Sequence, residues 1–268
     1  MNSAKNLTKN LSSMSDKLDS RVKALIAKPN SKNVHDMRTS IRRIEATFKL
    51  LPKDIRKRHT LSDYLTGAKS LFRATSPIRD IDIVKVNLRK FETITEISDL
   101  LKRNEEKRAH FLIAATRSAK RFEKIPPPRI RASQISESRL AKRRKKLVRR
   151  FEDNLREQIQ IMLSNPKPEQ LHDFRKNCKM LRYTLEIDSS KKKLLMTLEN
   201  LQTILGSLMD TYTTLQYVSE SSLGETIAPI VDQLNSSKNR DYARFVSTLR
   251  RRFDTEPAKS SQKKAEVT

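Results

Sequence analysis

Glycine is almost missing from this chain, with three residues in 268, beside one cysteine, four histidines and no tryptophan. So few glycines leave little room for tight hairpin turns or for a Gly-rich loop that cradles phosphate through backbone N–H groups. The lone Cys178 excludes an intrachain disulfide and a cysteine-rich zinc site, and it fits a reducing compartment. Aromatics make up only 5% of the residues, which is lean for stacking unpaired bases. Long apolar runs are missing too: "FLIAA" at 111–115 is typical of the longest, against the ~20 residues needed to span a bilayer. The polar opening "MNSAKNLTKNLSSMSDKL" has no hydrophobic signal region. The expectation is a soluble, intracellular protein with a cytoplasmic location and no membrane span.

What the chain has instead is positive charge. Lys and Arg outnumber Asp and Glu by 57 to 31, a formal net charge of +26. Excess charge of one sign repels itself and suits a polyanionic partner. Apolar residues recur at helical spacing nearly throughout, which predicts an all-α protein of about ten helices and no strand. The periodicity predicts one helix over 53–75, and another from "SPIRDIDIVKVNL" with Ser76 as N-cap and Pro77 at the first helical position. A long helix is expected to run to "PPP" at 126–128, the best candidate boundary between two halves. After the helix holding "LLMTLENLQTILGSLMDTYTTL", two shorter helices are expected, and 254–268 reads as a disordered tail.

One helix is written twice. "NVHDMRTSIRRIEATFKLLP" at 33–52 aligns with "QLHDFRKNCKMLRYTLEID" at 170–188 when His35 is set on His172. The apolar seam Val34, Met37, Ile41, Ile44, Phe48 falls on Leu171, Phe174, Cys178, Leu181, Leu185, one buried stripe per helix. The polar set His35, Arg38, Arg42 falls on His172, Arg175, Lys179. At about 100° per residue, His35, Arg38, Arg42 and Lys49 lie within about 60° of one another, centred about 110° from the seam. A wholly solvated face would lie opposite the core. These cations flank it instead, along about 21 Å of helix, where a neighbouring helix can wall them into a groove for a linear anion. Flanking positions of bundle helices also carry Lys and Arg simply to cover apolar surface, and that plainer account stays open for either helix alone.

Both helices match the pattern H-x-x-R-x-x-x-[RK], as "VHDMRTSIRR" and "LHDFRKNCKMLRYTLE". Together with "SPIRDIDIVKVNL" and "LENLQTILGSLMDTYTTL", they give four motifs in order, and in this the chain closely resembles the CHAD family, the conserved-histidine α-helical domain. The resemblance covers roughly residues 5–253. It implies an all-α fold of two pseudo-symmetric helical bundles, about 1–125 and 129–253 within a domain over 1–253, with a basic groove between them. It also implies binding of inorganic polyphosphate. Carried over by motif position, the ligand-facing residues are His35, Arg38, Arg42, Arg79, His172, Arg175, Lys179 and Arg182. Arg43, Lys49 and Arg117 complete the candidate set, with Arg108 and Arg121 on the same helix as Arg117. Glu45 and Met180 depart from the repeat, Glu45 standing opposite Arg182 and Met180 opposite Arg43.

Polyphosphate carries charge and no base edges, so Arg forks and Lys ammoniums are the chemistry that reads it. Asp80 and Asp210 are expected to orient the groove's cations rather than touch the anion. Each histidine either donates to phosphate or anchors a hydrogen bond within its bundle. The run "AKRRKKLVRR" at 141–150 is either a solvated face or a flank that widens the polyanion footprint. Adjacent helical residues point about 100° apart, so neither His-Asp pair chelates one metal ion readily. The carboxylates are scattered, and neither a Walker loop nor an E-x-E-x-K motif is present, so no catalytic residue, metal or cofactor is expected. Nucleic acid stands as the alternative polyanion, on net charge alone.

Overall fold

The computed structural model describes residues 3–186, 191–221 and 227–253, and among them it holds ten α-helices and no strand. They are α1 (Ser3–Ala27), α2 (Ser31–Leu50), α3 (Lys53–Arg56), α4 (His59–Ala74), α5 (Ser76–Leu88), α6 (Thr95–Glu123), α7 (Glu137–Leu163), α8 (Pro168–Glu186), α9 (Lys192–Ser219) and α10 (Ala228–Phe253). None is long and apolar enough to cross a membrane.

Local chemistry sets several of the helix ends. Asn30 caps α2 by accepting the Asn33 N–H at 2.8 Å. Pro52 ends the same helix by holding Leu51 extended. Asn165, the single described non-glycine residue with positive φ (60°), turns the chain between α7 and α8. Tyr242 of α10 locks that turn: its hydroxyl donates to the Met162 carbonyl and accepts the Asn165 N–H, each at 3.0 Å.

Three expected elements come out differently. The single helix over 53–75 is two, α3 and α4, broken at Lys57 and Arg58. A straight helix would set Ile55 and Leu61 about 120° apart, whereas the break lets both be buried. The cap of α5 is Thr75 rather than Ser76, and Pro77 is its second residue. Both hydroxyls turn back instead, Thr75 donating to Leu71 O at 3.0 Å and Ser76 to Phe72 O at 3.1 Å, so neither caps the N–H groups of α5. The two short helices expected near the end are one helix, α10, of 26 residues. The expected tail at 254–268 lies outside the described residues.

The repeated seams are the core. Val34, Met37, Ile41, Ile44 and Phe48 of α2 are at most 2% exposed, and Leu171, Phe174, Cys178, Leu181 and Leu185 of α8 at most 4%. Each such side chain withdrawn from water contributes on the order of 1.5–3 kcal/mol before the entropy of ordering it. One cluster runs from Ala4 to Leu249 through both sides of the 126–128 break, so the halves share a core rather than each closing its own. They also differ in helix number, six before the break and four after it among the described residues. A second, smaller cluster joins α5 and α6 to α9 and α10 through Val84, Leu88, Val218 and Ile230. α2 packs on α1 and α8 on α7, while α2 meets α8 and α5 meets α9 across the break. The site lies where these last two contacts converge.

Candidate anion-binding site

α2 and α8 present their His-x-x-Arg faces to one cavity of about 580 Å³, closed by Phe72 of α4, the first turns of α5 and the middle of α9. Its lining carries seven Lys and Arg side chains and two histidines against three carboxylates, Glu45, Asp80 and Asp210. The N-terminus of α5 opens on it at Ser76, adding the positive end of a helix dipole.

Four cations give the cavity its character. Arg42, Arg175 and Lys179 form no ion pair among the described residues, and the buried Arg175 Nε has no hydrogen-bond partner. Burial, reinforced by Arg175 and Arg42, pulls the Lys179 amine down to about 6. Burial also lowers the Arg175 and Arg42 guanidiniums from their ordinary values. Arg79 is the fourth, and its Nη2 stands 3.8 Å from Asp210 Oδ2. Asp210 is pushed up by burial, opposed by Arg175, Arg79 and Lys179. Asp80 is raised for the same reason, opposed by Arg38 and Arg79. Both carboxylates therefore sit among the groove's arginines, partly offsetting their repulsion. Gly206, one turn before Asp210 on α9, leaves room for the Arg175 guanidinium, since a Cβ there would stand 3.3 Å from its Nη2.

His35 and His172 line the mouth of the cavity and remain solvent-exposed as whole residues. Partial burial lowers His35, with Arg79 adding to it. The same desolvation lowers His172, with Lys176 and Arg175 adding to it. Neighbouring carboxylates turn elsewhere: Asp36 pairs with Lys32 at 3.1 Å and Asp173 with Lys176 at 2.9 Å.

The other candidates divide by role. Arg38 lines the cavity but its Nη1 is engaged in the scaffold, donating to Phe72 O at 2.5 Å and to the Thr75 and Ser76 hydroxyls at 3.1 Å. Its guanidinium stacks 3.8 Å from the Phe72 ring centroid, and the residue is 8% exposed. Lys49 closes the far end of the groove, 3.8 Å from Met180 Sδ. Arg43 and Arg182 stand outside the lining, 5.8 and 5.0 Å from the buried Tyr183 ring, and Arg182 pairs with Glu186 at 3.0 Å and Glu199 at 3.6 Å. Arg117 is misplaced by the sequence reading. It lines a separate surface groove of α6 with Leu112, Ile113 and Lys120, because the faces of α6 that meet α4, α5 and α1 leave it exposed on another side. Arg121 lines that same groove. Arg108 is tied to the buried Asp82 at 2.8 Å. Phe72, Lys176 and Tyr183 line the cavity and were not anticipated. Phe72 carries no signal in the sequence, since it lies outside both repeats and reaches Arg38 and Arg42 only through tertiary packing.

The chain matches the model of the CHAD domain family over residues 10–219. It is similar to the crystal structure of the CHAD domain from the plant Ricinus communis, with 15% identity, a TM-score of 0.58, and coverage of 95% of this chain and 92% of that one. PptA from Streptomyces chartreusis is more distant in shape, at 15% identity, a TM-score of 0.46, and coverage of 94% and 97%. No curated protein matches the chain.

Proposed function

This chain belongs to the CHAD domain family, and from that premise we propose that it binds inorganic polyphosphate without cleaving it, in the groove between α2 and α8. One observation carries the proposal: Arg42, Arg175 and Lys179 converge from both His-x-x-Arg helices on one cavity, without ion-pair partners among the described residues. Cations held this way raise the free energy of the empty protein, and a phosphate chain relieves it by supplying several negative charges along a line. Arg42 and Arg175 donate their guanidinium forks to phosphoryl oxygens, and Lys179 donates as an ammonium after taking up a proton. Asp210 holds Arg79 toward the cavity, and Asp80 offsets the charge of Arg38 and Arg79 beside it. His35 and His172 donate at the mouth. Phe72 is the flat apolar floor on which Arg38 and Arg42 stack.

Competition tests the proposal. Polyphosphate should displace duplex DNA or RNA from the protein at matched phosphate concentration and at a salt concentration of about 0.15 M, where backbone contacts alone are weakened. Nucleic acid winning that competition would overturn the assignment of ligand. Incubation with polyphosphate and Mg²⁺ or Mn²⁺ should leave chain length unchanged, and rapid shortening would overturn the non-catalytic part.

A further inference from the structure

The Lys49 end of the groove is not closed off electrostatically. Arg143 of α7 reaches over it and donates its Nε to the Lys49 carbonyl at 2.6 Å, fastening α7 beside the last turn of α2. The Lys49 amine is lowered by burial, with Arg150 of α7 and Lys69 adding to it. Arg143 in turn is lowered by burial, with Arg56 and Arg150 adding to it. Cations thus continue past Lys49 onto α7.

The basic track turns outward around α7. Leu140, Leu147 and Phe151 are buried. At about 100° per residue, Arg143 and Arg150 lie about 70° from the centre of that apolar stripe, and Lys142, Lys145, Lys146 and Arg149 form a further stripe about 100° beyond them. These four are solvent-exposed. Among the described residues only Arg149 of the four pairs with a carboxylate, Asp153 at 3.7 Å. Arg143 and Arg150 are therefore the step between an enclosed groove and an open basic ramp. Lys142, Lys145, Lys146 and Arg149 thus occupy the outer face of α7, with Arg143 and Arg150 between them and the Lys49 end of the groove.

We infer that a linear polyanion longer than the groove leaves it at the Lys49 end, passes Arg150 and Arg143, and continues over the exposed face of α7. This rests on the polyphosphate reading of the groove and adds a chain-length preference to it. The ramp has no enclosing wall, so it contributes through charge and counterion release rather than through oriented hydrogen bonds.

The test uses the full chain with Lys142, Lys145, Lys146 and Arg149 all replaced by Gln, and two probes. Inorganic tripolyphosphate fits within the groove, whereas a polyphosphate of about a hundred units extends far past it, and four lost contacts should lower its log K–log salt slope by about 3 and its affinity on the order of 100-fold near 0.15 M salt. Comparing variant with wild type at one length cancels the statistical advantage of a long lattice. Tripolyphosphate affinity should be unchanged, which also shows that the variant is folded. Long-chain affinity and slope equal to wild type would overturn the ramp while leaving the groove standing. Equal losses for both probes would overturn it as well, since α7 would then be acting on the groove itself. Failure of wild type to bind either probe would instead remove the polyphosphate reading, and the ramp with it.

Discussion

Replacing Lys179 by Met separates what the groove needs from what the fold needs. Met nearly matches the Lys stem in volume and leaves no charge behind. In the empty protein the Lys179 amine is lowered from 10.5 to about 6, so at pH 7 the folded chain holds it largely neutral while the unfolded chain holds it charged. Across the 3.5 units between 10.5 and pH 7, at 1.36 kcal/mol per unit, the ceiling on that destabilisation is about 5 kcal/mol. Exchanges of buried ionic groups for apolar ones gain about 1–4 kcal/mol, which is the range expected for Lys179→Met in chemical denaturation at pH 7. A base whose folded value is depressed destabilises fully below that value and ceases to do so above its unfolded value. The Met variant's advantage should therefore be greatest at pH 6 and shrink steadily toward pH 10.5.

Binding should move the opposite way. A phosphate beside Lys179 restores its ordinary value, so wild type takes up close to one more proton than the variant on binding at pH 7.5. Calorimetry in buffers of different ionisation enthalpy reads that proton. A charge-assisted contact contributes about 1.5–3 kcal/mol, offset above pH 6 by the work of protonating the amine. Lys179→Met should thus weaken polyphosphate binding about 10- to 100-fold at pH 6 and hardly at all at pH 9. A variant no more stable than wild type, or one with the same proton uptake, would refute the placement of Lys179 as a buried amine that gains its proton with the ligand.

Other outcomes follow from the same geometry. Arg38→Ala should destabilise the fold by about 2–4 kcal/mol, since it removes the buried donor that Phe72 O and the Thr75 and Ser76 hydroxyls share at the α4–α5 junction. Arg175→Gln should leave the melting temperature unchanged or raised while lowering polyphosphate affinity about 10- to 100-fold, and the reverse assignment in thermal melts would contradict the division between scaffold and ligand contacts. Glu45 lines the groove 3.7 Å from Lys69. Glu45→Gln should strengthen binding and steepen the salt slope by about 0.7, a change visible in a salt titration. His35 and His172 are lowered by desolvation and by neighbouring cations. A bound anion raises both, so affinity should climb further as pH falls from 7 to 5.5, and His35→Gln with His172→Gln should flatten that limb of the profile.

The seams of α2 and α8 were legible from periodicity because helical spacing is a local property: every residue placed on them is buried in the structure. The His-x-x-Arg stripes were legible for the same reason, together with the angle that sets them beside the seam rather than opposite it. Boundaries followed where a chemical signal existed, as at Pro52, and failed where tertiary packing overrode it, as at Lys57–Arg58, or where hydroxyls found partners behind them, as at Thr75 and Ser76.

Charge, helical class and a duplicated basic helix were thus determined by the order of residues alone, since each depends on neighbours within a few turns. Which cations face a ligand was decided only by the tertiary structure. Arg38 and Arg175 occupy matching positions of the repeat, yet one is engaged by the end of α4 and the other faces the cavity with its Nε unpartnered. Arg117 reads as another groove arginine until the packing of α6 turns it to a different surface. Lys179 is an ordinary lysine in the sequence, and becomes a strained one because packing buries it in the groove, with Arg175 and Arg42 beside it. Partners remote in the chain set burial and pairing, and burial and pairing decide what a cation can do.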